Sequence, residues 1–191
     1  LVLLCPGTAL YPQGFQPTYH PKRLEKLKKI KKPSKIFVCS MADLFGDWVT
    51  YDVIHKILDT CKEYPQHRFL FLTKNPYRYM DIVFPDNCWK GVTITGEVAY
   101  LHIKKILKPN ENCFVSVEPF LNRVDHIIPP VKWLIIGAME RPCKRQPRKE
   151  WLNVLIDKAK AYNIPIFMKD NLDYHNEKRL TEYPEELEFE I

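Results

Sequence analysis

Six short apolar runs, each closing on a small polar or charged cluster, constrain this chain more than any other feature. They are Ile36–Cys39 into Ser40-Met41-Ala42-Asp43, Phe69–Leu72 into Thr73-Lys74, Val92–Ile94 into Thr95-Gly96-Glu97, Phe114–Val117 into Glu118-Pro119, Trp133–Ile136 into Gly137, and Ile164–Met168 into Lys169-Asp170-Asn171. Most are followed by a helix-like stretch. The runs are rich in Val, Ile and Phe and mostly continuous rather than alternating, which suits a parallel sheet covered on at least one face. Parallel strands joined by helices bring their C-terminal ends to one rim, where the sites of such barrels and open sheets lie. The expected class is α/β, with strands at 35–40, 68–73, 89–95, 113–117, 132–137 and 164–168 following one another in space through right-handed crossovers.

The intervening segments carry helix signals. Pro21 suits a first helical turn, and Leu24, Leu27 and Ile30 recur at three-residue spacing before Lys31-Lys32-Pro33. A helix at 50–63 is expected with Thr50 as N-cap and Val53, Ile54, Ile57, Leu58 and Cys61 on one face. Asn75-Pro76 opens a short helix to about Val83, and further helices are expected at about 98–107 and at 148–162, the last burying Trp151, Leu152, Leu155, Ile156 and Ala159. The tail after Asp170 reads as irregular. At 191 residues the chain fits one domain, 1–191, with an atypical N-terminal segment at 1–13 and an acidic tail at 171–191.

No apolar run approaches the roughly 20 residues that span a bilayer, and the chain reads as cytoplasmic with no membrane partner. Cys5, Cys39, Cys61, Cys88, Cys113 and Cys143 are scattered at long spacings without a CxxC pair. They read as free thiols behaving as small apolar residues rather than as a zinc site. His20, His55, His67, His102, His126 and His175 form no spaced pair, so no metal ligand set is expected. Gly96-Glu97 and Gly137-Ala138 lack the glycine pattern of a phosphate loop. The net charge of +6 is uneven. Pro21 to Lys35 carries eight lysines and arginines against Glu25, while the last fifteen residues carry six glutamates. The basic stretch is either a solvated helix face or a track for a nucleic-acid backbone.

An ordered set of segments carries a resemblance. Gly14-Phe15-Gln16-Pro17-Thr18-Tyr19-His20-Pro21, Ile36 to Gly46, Phe71-Leu72-Thr73-Lys74, Val115-Ser116-Val117-Glu118-Pro119, Ile135-Ile136-Gly137-Ala138 and Phe167 to Leu172 follow one another in order. Together they resemble a prokaryotic and phage family of unassigned activity, often called phage protein gp thirty-seven/gp sixty-eight. That family is related to radical S-adenosylmethionine enzymes, and the match runs from about Gly14 to the C-terminus. The resemblance implies a partial, open TIM-like (βα)6 barrel with mostly parallel strands. It also implies a [4Fe–4S] cluster held by three cysteines after the first strand, with S-adenosylmethionine on the fourth iron. Here the chain departs from the pattern: a CxxxCxxC from Cys5 would need cysteines where Ala9 and Pro12 stand, and the next cysteine is Cys39. The chain is then either truncated before its cluster loop or a member that lost the cluster. With a first unit atypical, the strand at 35–40 lies near an open edge, to be covered by Leu1–Leu4 or a protein partner.

The polar residues ending the runs are the candidate site. Glu118 and Lys169 form the candidate catalytic pair, because a carboxylate closing an apolar strand needs a partner and Lys74 or Lys169 would supply it. Glu118 is either an anchor for a cationic group, such as the amino group of S-adenosylmethionine, or half of a structural ion pair. Ser40, Asp43, Thr73, Lys74 and Thr95 form the candidate cofactor-binding set. Asp43 stands where relatives of the superfamily hold the cofactor's amino group, and it equally suits a turn or cap. Thr93, Thr95 and Ser116 also read as half-buried hydroxyls satisfied by backbone. Two functions remain open: a radical-S-adenosylmethionine-like enzyme, or a cluster-less barrel that binds nucleic acid or protein.

Overall fold

The computed structural model describes residues 18–40, 42–95, 103, 106–108, 111–124, 131–140, 143–174 and 179–189. Six parallel strands form one sheet in the order β1 to β6: Lys35–Phe37, Arg68–Thr73, Cys88–Ile94, Cys113–Val117, Trp133–Ile136 and Ile166–Met168. Helices accompany them, among them α1 at Tyr51–Lys62 and α2 at Lys149–Ala161. The protein is thus α/β with the strand order of an open (βα) barrel. Its contacts divide into two compact units, Leu1–Trp89 and Lys90–Ile191.

In the first unit, Lys35, Ile36 and Phe37 pair with Arg68, Phe69 and Leu70. β1 is shorter than the expected 35–40 because the chain turns at Val38–Ser40, with Cys39 in the left-handed region at φ 57. That conformation is uncommon outside glycine and ends strand pairing. α1 buries Ile54, Ile57, Leu58 and Cys61, the face its spacing predicts. Thr50 stands at its N-cap but makes no side-chain capping bond, so the cap is positional only. Pro21–Lys29 and Pro76–Asp81 are 3₁₀ helices, each with proline in the first turn. The three-residue spacing of Leu24, Leu27 and Ile30 is the period of that helix rather than of an α-helix. The core is an aromatic knot. Phe45 packs edge-on to Tyr79 at 4.7 Å and to Phe71 at 5.9 Å, with Phe84 5.8 Å away.

In the second unit, β4 is buried along its whole length, as is β5. Such strands read as uninterrupted apolar runs, which explains why their limits match the sequence expectation closely. Gly91 pairs with Phe114, whose ring lies where a Cβ on Gly91 would stand. α2 buries Leu152, Leu155, Ile156 and Ala159, while Trp151 remains half-buried. The tail corrects one expectation. Residues 180–182 bond to β6, with the Met168 N–H donating to the Leu180 carbonyl and the Glu182 N–H to Ile166, and Trp133 Nε1 donates to the Glu182 carbonyl. An acidic sequence conceals this pairing because backbone donors and one indole, rather than apolar side chains, hold it.

Leu1–Leu4, Cys5, Gly14 to Pro17, Met41, Gly96 to Tyr100, His102, His126 and His175 lie outside the described residues, as does most of the helix expected at 98–107. So does the expected covering of the β1 edge by Leu1–Leu4.

Candidate functional site

The polar strand ends form one group in each unit. In the first, Asp43 is held by three donors. Its Oδ1 accepts the Phe45 N–H at 2.9 Å, and its Oδ2 accepts the Thr73 hydroxyl and the Lys74 N–H, both at 2.9 Å. The Thr73 hydroxyl in turn accepts the Asn75 N–H, and Asn75 Nδ2 donates to the Phe45 carbonyl and to Asp47. Asp43 therefore ties the loop after β1 to the end of β2, and Phe45, two residues on, plugs the aromatic core. A carboxylate has about four acceptor positions, so three are committed to the fold. Lys74 enters through its backbone, and its side chain is exposed. Ser40 is exposed in the turn after β1. It borders a cavity of about 310 Å³ whose walls include Arg23, Leu27, Phe37, Cys39 and Cys61.

The second unit holds the pair that the strand ends suggested. Glu118 follows β4, Lys169 follows β6, and Lys169 Nζ donates to Glu118 Oε1 at 2.6 Å. Both side chains are partly exposed, Glu118 at 25% and Lys169 at 44%, so the pair adds at most about 1 kcal/mol to stability. Its position is set from below. The Glu118 N–H donates to the Ile94 carbonyl, and the Lys169 N–H donates to Ile136 at the end of β5. Gly137 lies beneath the carboxylate: a Cβ there would stand 2.8 Å from Glu118 Cδ and Oε1. Glycine at this position is thus needed for close approach, not for backbone freedom.

Asn171 extends the frame. Its Oδ1 accepts the Ala138 N–H at 3.2 Å and its Nδ2 donates to the Ala138 carbonyl at 3.0 Å, fastening the loop after β6 to that after β5. Gln146 then bridges the Asn171 carbonyl and the Asp173 N–H. Asp170 points elsewhere and pairs with Arg179. Thr95 is half-buried, and its carbonyl accepts the Asn122 N–H. Sequence reasoning missed Gln146 and the tie that Asn171 makes. An amide gives no sequence signal when its partner is a backbone group 33 residues away.

The thiols decide whether these residues would suit an iron–sulfur cluster. Cys61, Cys88 and Cys113 are buried, Cys39 is half-buried and Cys143 is exposed, all of them free. A hydrogen bond with Cys88 and burial push the Cys61 thiol far up, and burial raises Cys39 and pushes Cys113 to about 12. Cluster ligands are thiolates, and burial of these thiols opposes that ionisation. Among the described residues no three His, Cys, Asp or Glu side chains come together to hold a metal. The described residues do not fit a cluster. Two outcomes follow. In native protein, a thiol reagent at neutral pH should modify Cys143 well before Cys61 or Cys113, which mass mapping would read directly. A thiol raised on folding contributes stability below its ordinary value of 9.0, so the Cys113 contribution should fade as pH climbs from 9.0 to about 12.

Residues 7–188 match the DUF5131 family, described as a protein of unknown function. The chain belongs to that family. No match was found to a curated protein or to a solved structure. The DUF5131 match spans every strand and both groups of strand-end residues. Among the described residues no helix is long and apolar enough to cross a membrane.

Proposed function

We propose that this DUF5131 chain is a radical-S-adenosylmethionine-like protein whose second unit binds the amino-acid end of S-adenosylmethionine through Glu118 and Lys169. The observation that carries the reading is the 2.6 Å pair joining the ends of β4 and β6. An ammonium has three donors and Lys169 spends one on Glu118; the carboxylate likewise keeps acceptor capacity. A ligand bearing both an α-ammonium and an α-carboxylate complements such a pair, the first at Glu118 and the second at Lys169. Charge-assisted bonds of this kind are about twice as strong as neutral ones. The ordered strand-end motifs support the choice of ligand. Because the described thiols do not fit a cluster, the role assigned to these residues is binding and orientation, with no radical step drawn from them and no substrate assigned. A cytoplasmic location goes with the reading, since the five cysteines among the described residues are free thiols, which suit a reducing compartment. Titration of S-adenosylmethionine into the full chain and its Glu118→Gln variant tests it, with iron and sulfide analysis of anaerobically prepared protein alongside.

A second reading rests on a different observation. The 3₁₀ helix Pro21–Lys29 buries only Leu27 and exposes Lys22, Lys26, Lys28 and Lys29, with Lys31, Lys32 and Lys35 exposed beyond it. This cationic face would track a nucleic-acid backbone in a cluster-less binding module. Binding to a duplex oligonucleotide should then weaken steeply with salt, and Lys28→Ala with Lys29→Ala should lower the log–log slope by about 2. A slope unchanged by the double substitution removes this reading. β1, the end strand of the described sheet, is the corresponding place for a protein partner.

A further inference from the structure

The first unit carries a stripe of exposed apolar side chains. Seven large apolar side chains are exposed among the described residues, and five of them, Trp48, Tyr51, Tyr77, Met80 and Val83, fall in the two segments 48–51 and 77–83 that follow β1 and β2. Their arrangement is periodic. The 3₁₀ helix Pro76–Asp81 repeats every three residues, so positions 76 and 79 share one face and 77 and 80 another, with Ile82 extended at its C-cap and Val83 next to it. Pro76, Tyr79 and Ile82 are buried, as a core face should be. Solvent-facing positions 77, 80 and 83 would ordinarily be polar, yet Tyr77, Met80 and Val83 are 53%, 66% and 90% exposed.

The segments are built rigidly. Arg78 donates to the Gly46 and Val49 carbonyls at 2.7 Å each and lies 4.4 Å over the Tyr51 ring. The Tyr51 hydroxyl donates to Asp81, and the Trp48 ring covers Gly46. The charge around the stripe runs opposite to that of the chain. Residues 42–52 and 74–86 hold five aspartates, Asp43, Asp47, Asp52, Asp81 and Asp86, against Lys74 and Arg78, in a protein of net charge +6. Four of these aspartates are exposed, whereas Arg78 is half-buried among carbonyls.

We infer that Trp48, Tyr77, Met80 and Val83, together with the exposed Asp47, Asp52, Asp81 and Asp86 of the same segments, form a docking surface for a cationic amphipathic segment of another protein. Exposed apolar groups rimmed by polar residues mark interaction surfaces, and complementary charge selects the partner and its approach. Single-stranded nucleic acid also stacks on exposed aromatics, but four carboxylates repel its backbone. The inference stands on the first unit alone, independent of Glu118 and Lys169.

The test uses the full chain with a fluorescein-labelled amphipathic Leu–Lys peptide and its Leu–Glu counterpart. The Leu–Lys peptide should bind and the Leu–Glu peptide should not. Binding should weaken about tenfold or more in Met80→Ser with Val83→Ser, and similarly in Asp52→Lys with Asp86→Lys. The melting curve of Met80→Ser with Val83→Ser should stay unchanged, since both side chains are exposed, and both double variants should keep the parent's circular dichroism. The proposal is overturned if neither peptide binds, if both bind equally, or if the variants bind as the parent does. It is also overturned if Met80→Ser with Val83→Ser abolishes either oligothymidylate binding or dimerisation of the chain, which would assign the surface to bases or to a second copy.

Discussion

Phe45→Ala should cost about 3–5 kcal/mol of stability, read as a fall in the denaturation midpoint with the slope kept. Phe45 is fully buried although it lies in a loop, and it touches Phe71, Tyr79 and Phe84. Removing its ring opens a cavity whose walls are three large aromatics, which collapse poorly. The loss should spread to the loop, because the Phe45 N–H is one of the three donors to Asp43 and the Phe45 carbonyl accepts from Asn75. A change below about 1 kcal/mol would mean that the aromatic knot does not hold the loop after β1.

Gly91→Ala should destabilise from the opposite cause. A Cβ at Gly91 would stand 2.1 Å from Phe114 Cζ, and contacts that short require something to move. Phe114 is fully buried and its ring packs 5.6 Å from Trp133, which is itself fixed by a bond to the Glu182 carbonyl. With no room for the ring to yield, overpacking should cost about 1–3 kcal/mol or more. Gly91→Ala combined with Phe114→Leu should recover part of that loss, whereas an additive outcome would show that the strain lies elsewhere.

The strands were readable where burial is complete. β2 and β4 occupy the expected 68–73 and 113–117 because both faces are apolar and the turn residues follow at once. β1 was read too long, since Val38 and Cys39 look like strand residues and only the left-handed backbone at Cys39 stops the pairing. The 3₁₀ character of 21–29 was written in the three-residue spacing of Leu24, Leu27 and Ile30. At the candidate site, Glu118 and Lys169 were legible because each is a charge closing an apolar strand. Asp43 was legible as a polar loop residue but not as a tie between loops, since its partners Thr73 and Lys74 are 30 and 31 residues distant. Gly137 was legible as a strand end, not as the floor beneath a carboxylate, because that role depends on where the Glu118 side chain falls.

The central claim concerns the use of the Glu118–Lys169 pair, and calorimetric titration of the full chain with S-adenosylmethionine addresses it most directly. The parent chain should bind, and Glu118→Gln should weaken binding by about tenfold or more, the loss of one charge-assisted contact. Its melting temperature should move by no more than about 4 °C, because so exposed a pair adds little stability. Gly137→Ala, which pushes the carboxylate aside without removing it, should reproduce the binding loss. A parent chain that binds no S-adenosylmethionine, or a Glu118→Gln chain that binds it equally well, would contradict the account and leave Glu118 and Lys169 as a structural clasp between β4 and β6.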